Sequence, residues 1–267
     1  MWSLPLLGLL VLSPIMAIAW AVQRRTRNAG VVDVLWCLGL AGLGGFYGLA
    51  AEGWAPRRLL VGGLAFTWYV RLGMHLAHRV SSEEEDGRYK GLREELGTRF
   101  DTWIFWFFQA QAFLAVLLSL AFLVPAGESP PGWRFVDGLG ASIWVVALVG
   151  QGISDRQLRI WRTDPANRGR TCRGGLWRYS RHPNYFFEWM QWLVYPVLAI
   201  GLEFGWAVWA APIVMLYLVL RVTGIPPTEE QALKSRGEDY RAYQRTTNAF
   251  FPGPPRADVQ DPASISS

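Results

Sequence analysis

Cysteine is nearly absent from this sequence, which has two cysteines, Cys37 and Cys172, among 267 residues. They provide neither a disulfide framework nor the Cys and His spacing that holds a metal ion. We therefore interpret both as structural side chains and expect no bound metal. Two glycine-rich signatures are also absent, because no G-x-G-x-x-G follows a strand pattern and no G-x-x-x-x-G-K-[ST] occurs. Their absence excludes the soluble type of dinucleotide-binding fold.

Charged residues are few as well, at 18% of the chain, whereas hydrophobic residues make up 51%. Apolar runs of about 20 residues recur, and about 20 residues at a 1.5 Å rise cross about 30 Å of hydrocarbon. The first run lacks a preceding basic segment and is too long for a signal peptide, so we predict a retained helix. The sequence predicts an all-α polytopic integral membrane protein with about seven transmembrane helices, at residues 2–21, 31–51, 58–78, 104–124, 136–155, 183–203 and 205–222.

Lysine and arginine are distributed unevenly between the connecting segments. With the N-terminus outside, segments 22–30, 79–103, 156–182 and 221–267 face the cytoplasm and hold 22 of the 26 basic residues. The outside segments hold Arg57, Arg58 and Arg134. This asymmetry follows the positive-inside rule and predicts a cytoplasmic C-terminus. The net charge of +5 therefore reflects orientation and contact with membrane lipids, and is poor evidence for nucleic-acid binding.

The chain shows no internal repeat and no second domain. We predict one membrane domain over residues 1–253. Residues 254–267 are rich in Pro, Ser, Asp and Ala, which predicts a disordered tail.

Ionisable residues within apolar segments are candidates for function, because a charge in hydrocarbon is costly unless it meets a partner or a wet cavity. Asp33 lies near the cytoplasmic start of the second predicted helix. On the third, Trp68, Arg71 and His75 share roughly one face. Two interpretations stay open. Asp33 and Arg71 either neutralise each other as a structural lock, or this face lines a polar cavity.

A second polar cluster follows the fifth predicted helix. Asp155, Arg159 and Arg162 recur at i, i+4 and i+7 and so lie on one face. Two arginines aligned in this way suit a phosphate or a carboxylate. The alternative is that these basic residues bind lipid head groups at a helix end.

The peptide GLWRYSRHPNYFFEW, residues 175–189, carries the densest set of hydrogen-bonding groups. Pro183 predicts a helix start there, whose unsatisfied N–H groups attract anions, as do Arg178, Arg181 and His182. Asn184 and Glu188 lie one turn apart. Trp177, Tyr179 and Tyr185 are suited to stacking on a flat ring. The peptide therefore predicts a pocket for a large, anionic, aromatic ligand, a nucleotide-like cofactor held by helix ends and loops.

This peptide resembles the C-terminal signature shared by membrane steroid 5α-reductases, sterol C14/C24 reductases and isoprenylcysteine carboxyl methyltransferases. The wider series is similar to a bacterial family of membrane proteins grouped with the steroid 5α-reductases. It covers residues 30 to 253 and reads VVDVLW, WYVRLGMHLAHR, EDGRY, GISDRQLRIWRTDPANRG, RHPNY and EDYRAYQRTTNAFFPGPP. The resemblance implies a seven-span helical fold in a bacterial inner membrane, with NADPH bound at the cytoplasmic side.

The resemblance also implies roles for individual residues. Arg162 matches an arginine that serves the cofactor phosphates, Asn184 and Glu188 match residues at the nicotinamide end, and Tyr240 and Tyr243 belong to a tail that caps the cofactor. The full set expected to bind the cofactor is Asp155, Arg159, Arg162, Asn167, Arg178, Tyr179, Arg181, His182, Asn184, Tyr185, Glu188, Arg221, Glu230, Tyr240 and Tyr243.

The second predicted helix departs from the steroid 5α-reductases, which carry there a Gln-Glu pair that holds the substrate ketone. This sequence has no such pair, and Glu52 lies at the far end of the helix. Arg71 and His75 occupy the region of the third helix that supplies a tyrosine in those enzymes. The groups that hold the ketone are therefore absent or replaced, and a steroid substrate is doubtful.

The resulting hypothesis is a reductase that transfers a hydride from NADPH to a polarised C=C bond of a lipophilic substrate from the bilayer. Arg71, His75 or Tyr179 would donate to the substrate oxygen, with Asp33 orienting Arg71. Two alternatives stay open. One is a methyltransferase that uses S-adenosylmethionine at the same peptide, and the other is a lipid-binding protein without enzyme activity.

Overall fold

The computed structural model describes residues 2–82, 85, 87–128 and 130–258, and within these ranges it contains helices and no strand. The all-α prediction is confirmed. The α-helices are α1 Leu4–Thr26, α2 Val31–Ala50, α3 Ala55–Ser82, α4 Gly87–Leu96, α5 Phe100–Gly127, α6 Phe135–Thr163, α7 Pro183–Trp192, α8 Val194–Leu198, α9 Ala210–Tyr217, α10 Ile225–Arg236 and α11 Glu238–Thr246.

Six helices of the described residues are long and apolar enough to cross a membrane, which makes the chain an integral membrane protein. They are Leu4–Thr26, Val31–Ala50, Ala55–Ser82, Tyr89–Gly127, Phe135–Thr163 and Ala207–Arg236. The predicted segment 183–203 differs, because it forms two short helices, α7 and α8, that are separated at Leu193. Pro196 explains the break. Proline has no N–H to donate to the carbonyl of Trp192, the last residue of α7, and its ring would clash with that carbonyl.

The chain divides into two compact units. Unit 1 comprises the residues up to Leu139 together with Tyr195–Trp209, and unit 2 comprises Gly140–Val194 together with the residues from Ala210 onward. In unit 1, α2 and α3 pack closely through small residues. A methyl group added at Gly62 would lie 2.6 Å from the carbonyl oxygen of Gly44 and 2.7 Å from the Cα of Gly48. Small residues let two membrane helices approach in this way.

A buried ion pair joins α3 to the start of α6 in unit 1. The Nε of Arg57 donates to Oδ1 of Asp137 at 2.6 Å, and the two side chains are 0% and 3% exposed. Arg57 also donates to the carbonyl of Leu198, and the backbone N–H of Arg134 donates to the other oxygen of Asp137. The apolar pattern of the sequence predicts Arg57 in a connecting segment. The structure instead includes it in α3, where it holds three parts of unit 1 together.

Unit 2 contains most of α6, then α7 and α9, the hairpin of α10 and α11, and the segment that follows it. The indole N–H of Trp189 on α7 donates to the carbonyl of Pro212 on α9 at 2.9 Å. Gly150 on α6 leaves room for Phe187 on α7, because a methyl group added at Gly150 would lie 2.4 Å from that ring. Gly237 connects α10 to α11 with φ of 53°, a conformation that glycine adopts without steric cost.

The segment after α11 also belongs to unit 2 and packs back onto α7. The ring of Phe250 lies 5.8 Å from the rings of both Phe186 and Trp189. Within the stretch predicted to be disordered, Asp258 accepts from Arg245 at 3.0 Å. Residues 259–267 of that stretch lie outside the described residues.

Candidate functional site

The C-terminal end of α6 carries the predicted series Asp155, Arg159 and Arg162. The helix continues to Thr163, so all three residues are helical and their spacing places them on one side of α6. Asp155 is half-buried, whereas Arg159 and Arg162 are exposed. The end of α6 therefore presents two guanidinium groups to solvent beside a shielded carboxylate.

The loop before α7 is fastened to α6 by two hydrogen bonds. The indole N–H of Trp177 donates to the carbonyl of Ser154 at 3.0 Å, and the backbone N–H of Leu176 donates to Oε1 of Gln157 at 2.9 Å. Gly175 has φ of 61° and lies against Gln157, where a methyl group would meet that side chain at 2.2 Å. These contacts fix the loop that leads into the RHPN sequence against the helix that carries Arg162.

The start of α7 has the features predicted for a ligand-binding helix end. His182 is its N-cap and Pro183 occupies the first turn. The rings of His182 and Tyr185 are stacked at 5.4 Å with an angle of 7° between their planes. The Oδ1 of Asn184 is buried and has no hydrogen-bond partner within the described part of the chain. A buried acceptor without a partner is costly, so this oxygen is suited to a donor supplied by a ligand.

The carboxylate of Glu229 on α10 accepts hydrogen bonds from several donors around this helix end. Its Oε1 accepts from the Nε of Arg181 at 2.7 Å, from the Nε2 of His182 at 3.2 Å and from the hydroxyl of Tyr240 at 3.2 Å. Its Oε2 accepts from the amide of Gln244 at 2.8 Å. An ionised carboxylate only accepts, so Nε2 of His182 carries the hydrogen in this contact. Glu229 therefore joins the start of α7 to the C-terminal hairpin.

Arg181 is used mainly to hold the segment that follows α11. Besides its ion pair with Glu229, its Nη1 donates to the carbonyls of Gln244 and Thr247, the first at 3.1 Å. Its backbone N–H donates to the carbonyl of Asn248 at 2.8 Å. With these donors satisfied by the protein, Arg181 fixes the geometry of the helix end rather than offering its whole guanidinium group to a ligand.

The two tyrosines of α11 are buried and also have structural partners. The hydroxyl of Tyr243 donates to the carbonyls of Trp177 and Ser180, the second at 3.2 Å. Burial raises the pKa of both Tyr240 and Tyr243 above the ordinary phenol value, so both hydroxyls stay protonated. Burial also lowers the pKa of His182, against the opposing effect of Glu229. The polar interior of unit 2 therefore contains neutral hydrogen-bond donors beside the ionised Glu229.

Two guanidinium groups near Cys172 lack a carboxylate partner. Burial raises the pKa of the Cys172 thiol, while the positive charges of Arg162 and Arg236 oppose that rise. Arg236, at the end of α10, is half-buried and lies 4.9 Å from the ring centre of Tyr240. Among the described residues, no ion pair involves Arg162 or Arg236. Positive charge is thus concentrated here, with no ion pair from the described residues and only the more distant carboxylate of Asp239 acting on Arg236.

The predicted catalytic residues of unit 1 have different surroundings. The hydroxyl of Tyr89 donates to Oδ1 of Asp33 at 3.1 Å, a partner that the sequence analysis did not identify. The guanidinium of Arg71 lies 6.0 Å from the ring centre of Trp68 and is half-buried, whereas His75 is exposed. Donation by Arg71 or His75, with Asp33 orienting Arg71, stays a prediction.

The remaining predicted residues differ in exposure. Tyr179, Arg178 and Arg221 are exposed, and Glu188 is half-buried. The amide of Asn167 donates to the carbonyl of Trp161 at 3.0 Å. Glu230 is 66% exposed and pairs with Lys234 on the outside of α10 at 2.6 Å. The described residues contain no group of three or more His, Cys, Asp or Glu side chains that could hold a metal ion.

Glu229 and Arg236 are not among the site residues predicted from the sequence, which include the neighbouring Glu230 instead. Helical periodicity contained a signal for both. Ile225 and Ala232 of α10 are buried, and Glu229 and Arg236 follow each of them by four residues. That spacing places these two ionisable residues on the inward face of α10.

Comparison with known proteins identifies the family. Residues 19–247 match the model of a family described as a protein of unknown function (DUF1295), and the chain belongs to this family. The chain is also similar to an uncharacterized protein, C594.04c, of Schizosaccharomyces pombe. The two are 24% identical over 280 residues, which cover 92% of this chain and 78% of the yeast protein. No solved structure gave a significant match.

Proposed function

We propose that this protein is a membrane-embedded, NADPH-dependent reductase that saturates a polarised C=C bond in a lipophilic, steroid- or isoprenoid-like substrate. One observation carries the proposal. Unit 2 combines two guanidinium groups without an ion pair among the described residues, those of Arg162 and Arg236, with a buried amide oxygen of Asn184 that lacks a donor. The phosphates of a nicotinamide dinucleotide can pair with the guanidinium groups, and its carboxamide can donate to the Asn184 oxygen.

The phosphate end would be held by Arg162 of α6 and Arg236 of α10. Guanidinium groups bind phosphate oxygens through paired, charge-assisted hydrogen bonds. Both groups are without an ion pair in the described structure, so a phosphate would supply a direct ionic partner for each. S-adenosylmethionine has a sulfonium cation and no phosphate, and has less need of these arginines.

The nicotinamide end would be held at the start of α7. The Oδ1 of Asn184 can accept from a carboxamide N–H, and the half-buried Glu188 lies one turn further along the helix. The contacts of Glu229 with Arg181 and His182 keep this helix end in place without a ligand. A site formed in advance loses less free energy on binding than one that must be ordered.

Bound NADPH would supply the hydride, which reaches the β-carbon of the C=C bond. Negative charge then moves to the substrate carbonyl oxygen, so the protein must supply a hydrogen-bond donor there and the α-carbon must gain a proton. Tyr179 has an exposed side chain beside the start of α7 and is one candidate donor. Arg71 and His75 of unit 1 are the others. The proposal puts this chemistry at the cytoplasmic face of a bacterial inner membrane.

Ligand binding to the purified full-length protein in detergent tests the proposal. NADPH should raise the unfolding temperature more than S-adenosylmethionine does at equal concentration. Arg162→Ala and Arg236→Ala should each weaken NADPH binding by about tenfold to a hundredfold, the effect expected from losing a charged hydrogen bond worth about 1.5–3 kcal/mol. Arg156→Ala is the matched control, because Arg156 is an exposed arginine on the same helix and lies about 120° around it from Arg162.

The alternatives predict other outcomes of the same titrations. Stabilisation by S-adenosylmethionine alone would contradict the reductase and support a methyltransferase. If neither cofactor stabilises the protein while phospholipids do, the lipid-binding alternative is favoured. Once a substrate is found, oxidation of NADPH should be followed by its fluorescence, and the reduced product should gain two hydrogen atoms by mass spectrometry.

A further inference from the structure

The outer face of α1 is apolar and exposed along the length of the helix. Leu6, Leu10, Val11 and Ile18 are each at least 60% exposed. The opposite face, which includes Met16, is buried within unit 1. Because α1 is long and apolar enough to cross a membrane, its exposed face is suited to contact with lipid acyl chains.

A polar cavity lies at the C-terminal end of this helix. Its volume is about 400 Å³, and it is lined by Ala21, Arg24, Arg25, Arg27 and Asp101. Three arginines against one aspartate leave two positive charges in excess. A volume of this order is sufficient for a small polar group. The charge of the lining favours an anion.

Part of the lining is held by the protein itself. The Nε of Arg24 donates to Oδ2 of Asp101 at 3.2 Å, and the guanidinium of Arg24 lies 5.1 Å from the ring centre of Trp20. The indole N–H of Trp20 donates to the carbonyl of Asp101 at 2.7 Å. Tryptophan is enriched where hydrocarbon meets water, which suits this level of the helix. Arg24 and Asp101 therefore form a fixed wall of the cavity.

Arg25 and Arg27 are the uncompensated part of the lining. Neither side chain takes part in an ion pair or a hydrogen bond within the described part of the chain. The helix dipole favours basic residues in the last turn, which accounts for Arg24 and Arg25 without a ligand. It does not account for Arg27, which lies beyond the helix as its C-cap with φ of 54°. Arg27 is the one non-glycine residue among those described with a positive φ, a conformation uncommon for long side chains.

We propose that this cavity binds the phosphate of an anionic phospholipid whose acyl chains lie along the exposed face of α1. Guanidinium groups pair with phosphate oxygens, and the two excess charges match an anionic head group better than a zwitterionic one. Val22, between the lining residues Ala21 and Arg24, is exposed and continues the apolar face up to the cavity. That continuity favours a membrane lipid over a soluble phosphate as the source of the anion.

The experiment uses the full-length protein in detergent with phosphatidylglycerol as the probe. Bound lipid is counted by native mass spectrometry, and the unfolding temperature is measured in parallel. Phosphatidylglycerol should bind more tightly than phosphatidylcholine, and the preference should fall on the order of tenfold in the Arg25→Gln/Arg27→Gln variant. Arg168→Gln/Arg170→Gln is the matched control, because both arginines are exposed on a loop of unit 2 and the charge change is the same.

A second variant removes one arginine of the cavity without destabilising the folded protein. Arg27→Gly removes the side chain but suits the left-handed backbone, so it should be at least as stable as the wild type without lipid and gain less stability from phosphatidylglycerol. Equal phosphatidylglycerol binding by the wild type and both cavity variants would overturn the proposal. Inorganic phosphate that stabilises the protein as much as phosphatidylglycerol does at equal concentration would overturn the membrane lipid as the source.

Discussion

Arg181 and Glu229 form an ion pair of 2.7 Å across 48 residues of sequence, and both side chains are largely shielded from solvent. The same carboxylate accepts from His182, Tyr240 and Gln244. The ionised carboxylate of Glu229 on α10 thus connects the start of α7 with α11, the other helix of the C-terminal hairpin. The position of the Asn184 amide depends on this connection, because Asn184 follows His182 by two residues.

The first prediction concerns Glu229 itself. Glu229→Gln removes the negative charge that compensates Arg181 and turns one acceptor into a donor facing other donors. We expect a loss of stability of about 2–3 kcal/mol, since breaking one side of a shielded, hydrogen-bonded ion pair leaves the other charge uncompensated. Thermal unfolding in detergent measures the change.

Glu230→Gln is the control for that measurement. Glu230 is the neighbouring glutamate on α10, but it is exposed and pairs only with Lys234 in the described contacts. An exposed pair of this kind is screened by solvent and contributes little, so the unfolding temperature should hardly change. A similar loss in the two variants would show that the convergent contacts of Glu229 do not stabilise unit 2.

His182 gives stability a dependence on pH. Burial lowers the pKa of His182 in the folded protein, although Glu229 opposes this and the positive charges of Arg181 and Arg236 add to it. The unfolded chain therefore takes up the proton first as the pH falls. Stability from this group is complete above about pH 6.5, decreases below that value, and levels off below the folded-state pKa.

A comparison with His182→Gln measures that contribution. The difference in stability between wild type and variant should change between about pH 8 and pH 5, with a slope approaching 1.4 kcal/mol per pH unit in the steepest region. Other groups titrate equally in both proteins and cancel. A difference independent of pH would mean that folding does not shift the pKa of His182, and one that grows in the wild type's favour on acidification would mean that folding raises it.

The fold was largely predictable because hydrophobic length is a strong signal in membrane proteins. The runs 31–51 and 136–155 correspond closely to α2 and the membrane part of α6. The segment 183–203 is the exception. Composition does not reveal that Pro196 interrupts the helix, since proline is tolerated in many membrane helices when neighbours satisfy the freed groups. Whether the helix breaks at such a proline depends on the hydrogen-bond partners of the nearby backbone, which the sequence alone does not show.

The candidate site was predictable only in part. The sequence identified the α7 start and the end of α6, because unusual polar residues beside apolar runs are informative on their own. It could not identify Tyr89 as the partner of Asp33, or Arg57 as the partner of Asp137, since pairs 56 and 80 residues apart depend on tertiary packing. It also could not show that Arg181 is occupied by backbone carbonyls.

The buried pair of unit 1 leads to the third prediction. Asp137→Asn leaves the fully buried Arg57 without a counter-charge and should destabilise the protein by about 3–5 kcal/mol. Asp101→Asn is the control, because its pair with Arg24 is roughly half-exposed and should contribute at most about 1 kcal/mol.

Removal of both charges separates the cost of an uncompensated charge from the loss of the other hydrogen bonds of Arg57. In Arg57→Met/Asp137→Leu no uncompensated charge is left, and much of the lost stability should return. A double variant as unstable as Asp137→Asn would indicate that the additional contact of Arg57 with the Leu198 carbonyl contributes most of the energy. Unfolding in detergent distinguishes these results.

Asn184 provides the most direct connection between stability and the proposed cofactor. Because its Oδ1 is buried without a partner, Asn184→Leu removes an unsatisfied acceptor and should leave the ligand-free protein as stable as the wild type or slightly more stable. The same change should reduce the stabilisation gained from NADPH, with affinity lower by about tenfold. Gln157→Leu should behave in the opposite way, since its Oε1 accepts from Leu176 and the loss should destabilise the ligand-free protein. Thermal unfolding of both variants is measured with and without NADPH. A purely structural role for Asn184 would lower the unfolding temperature of Asn184→Leu in both conditions.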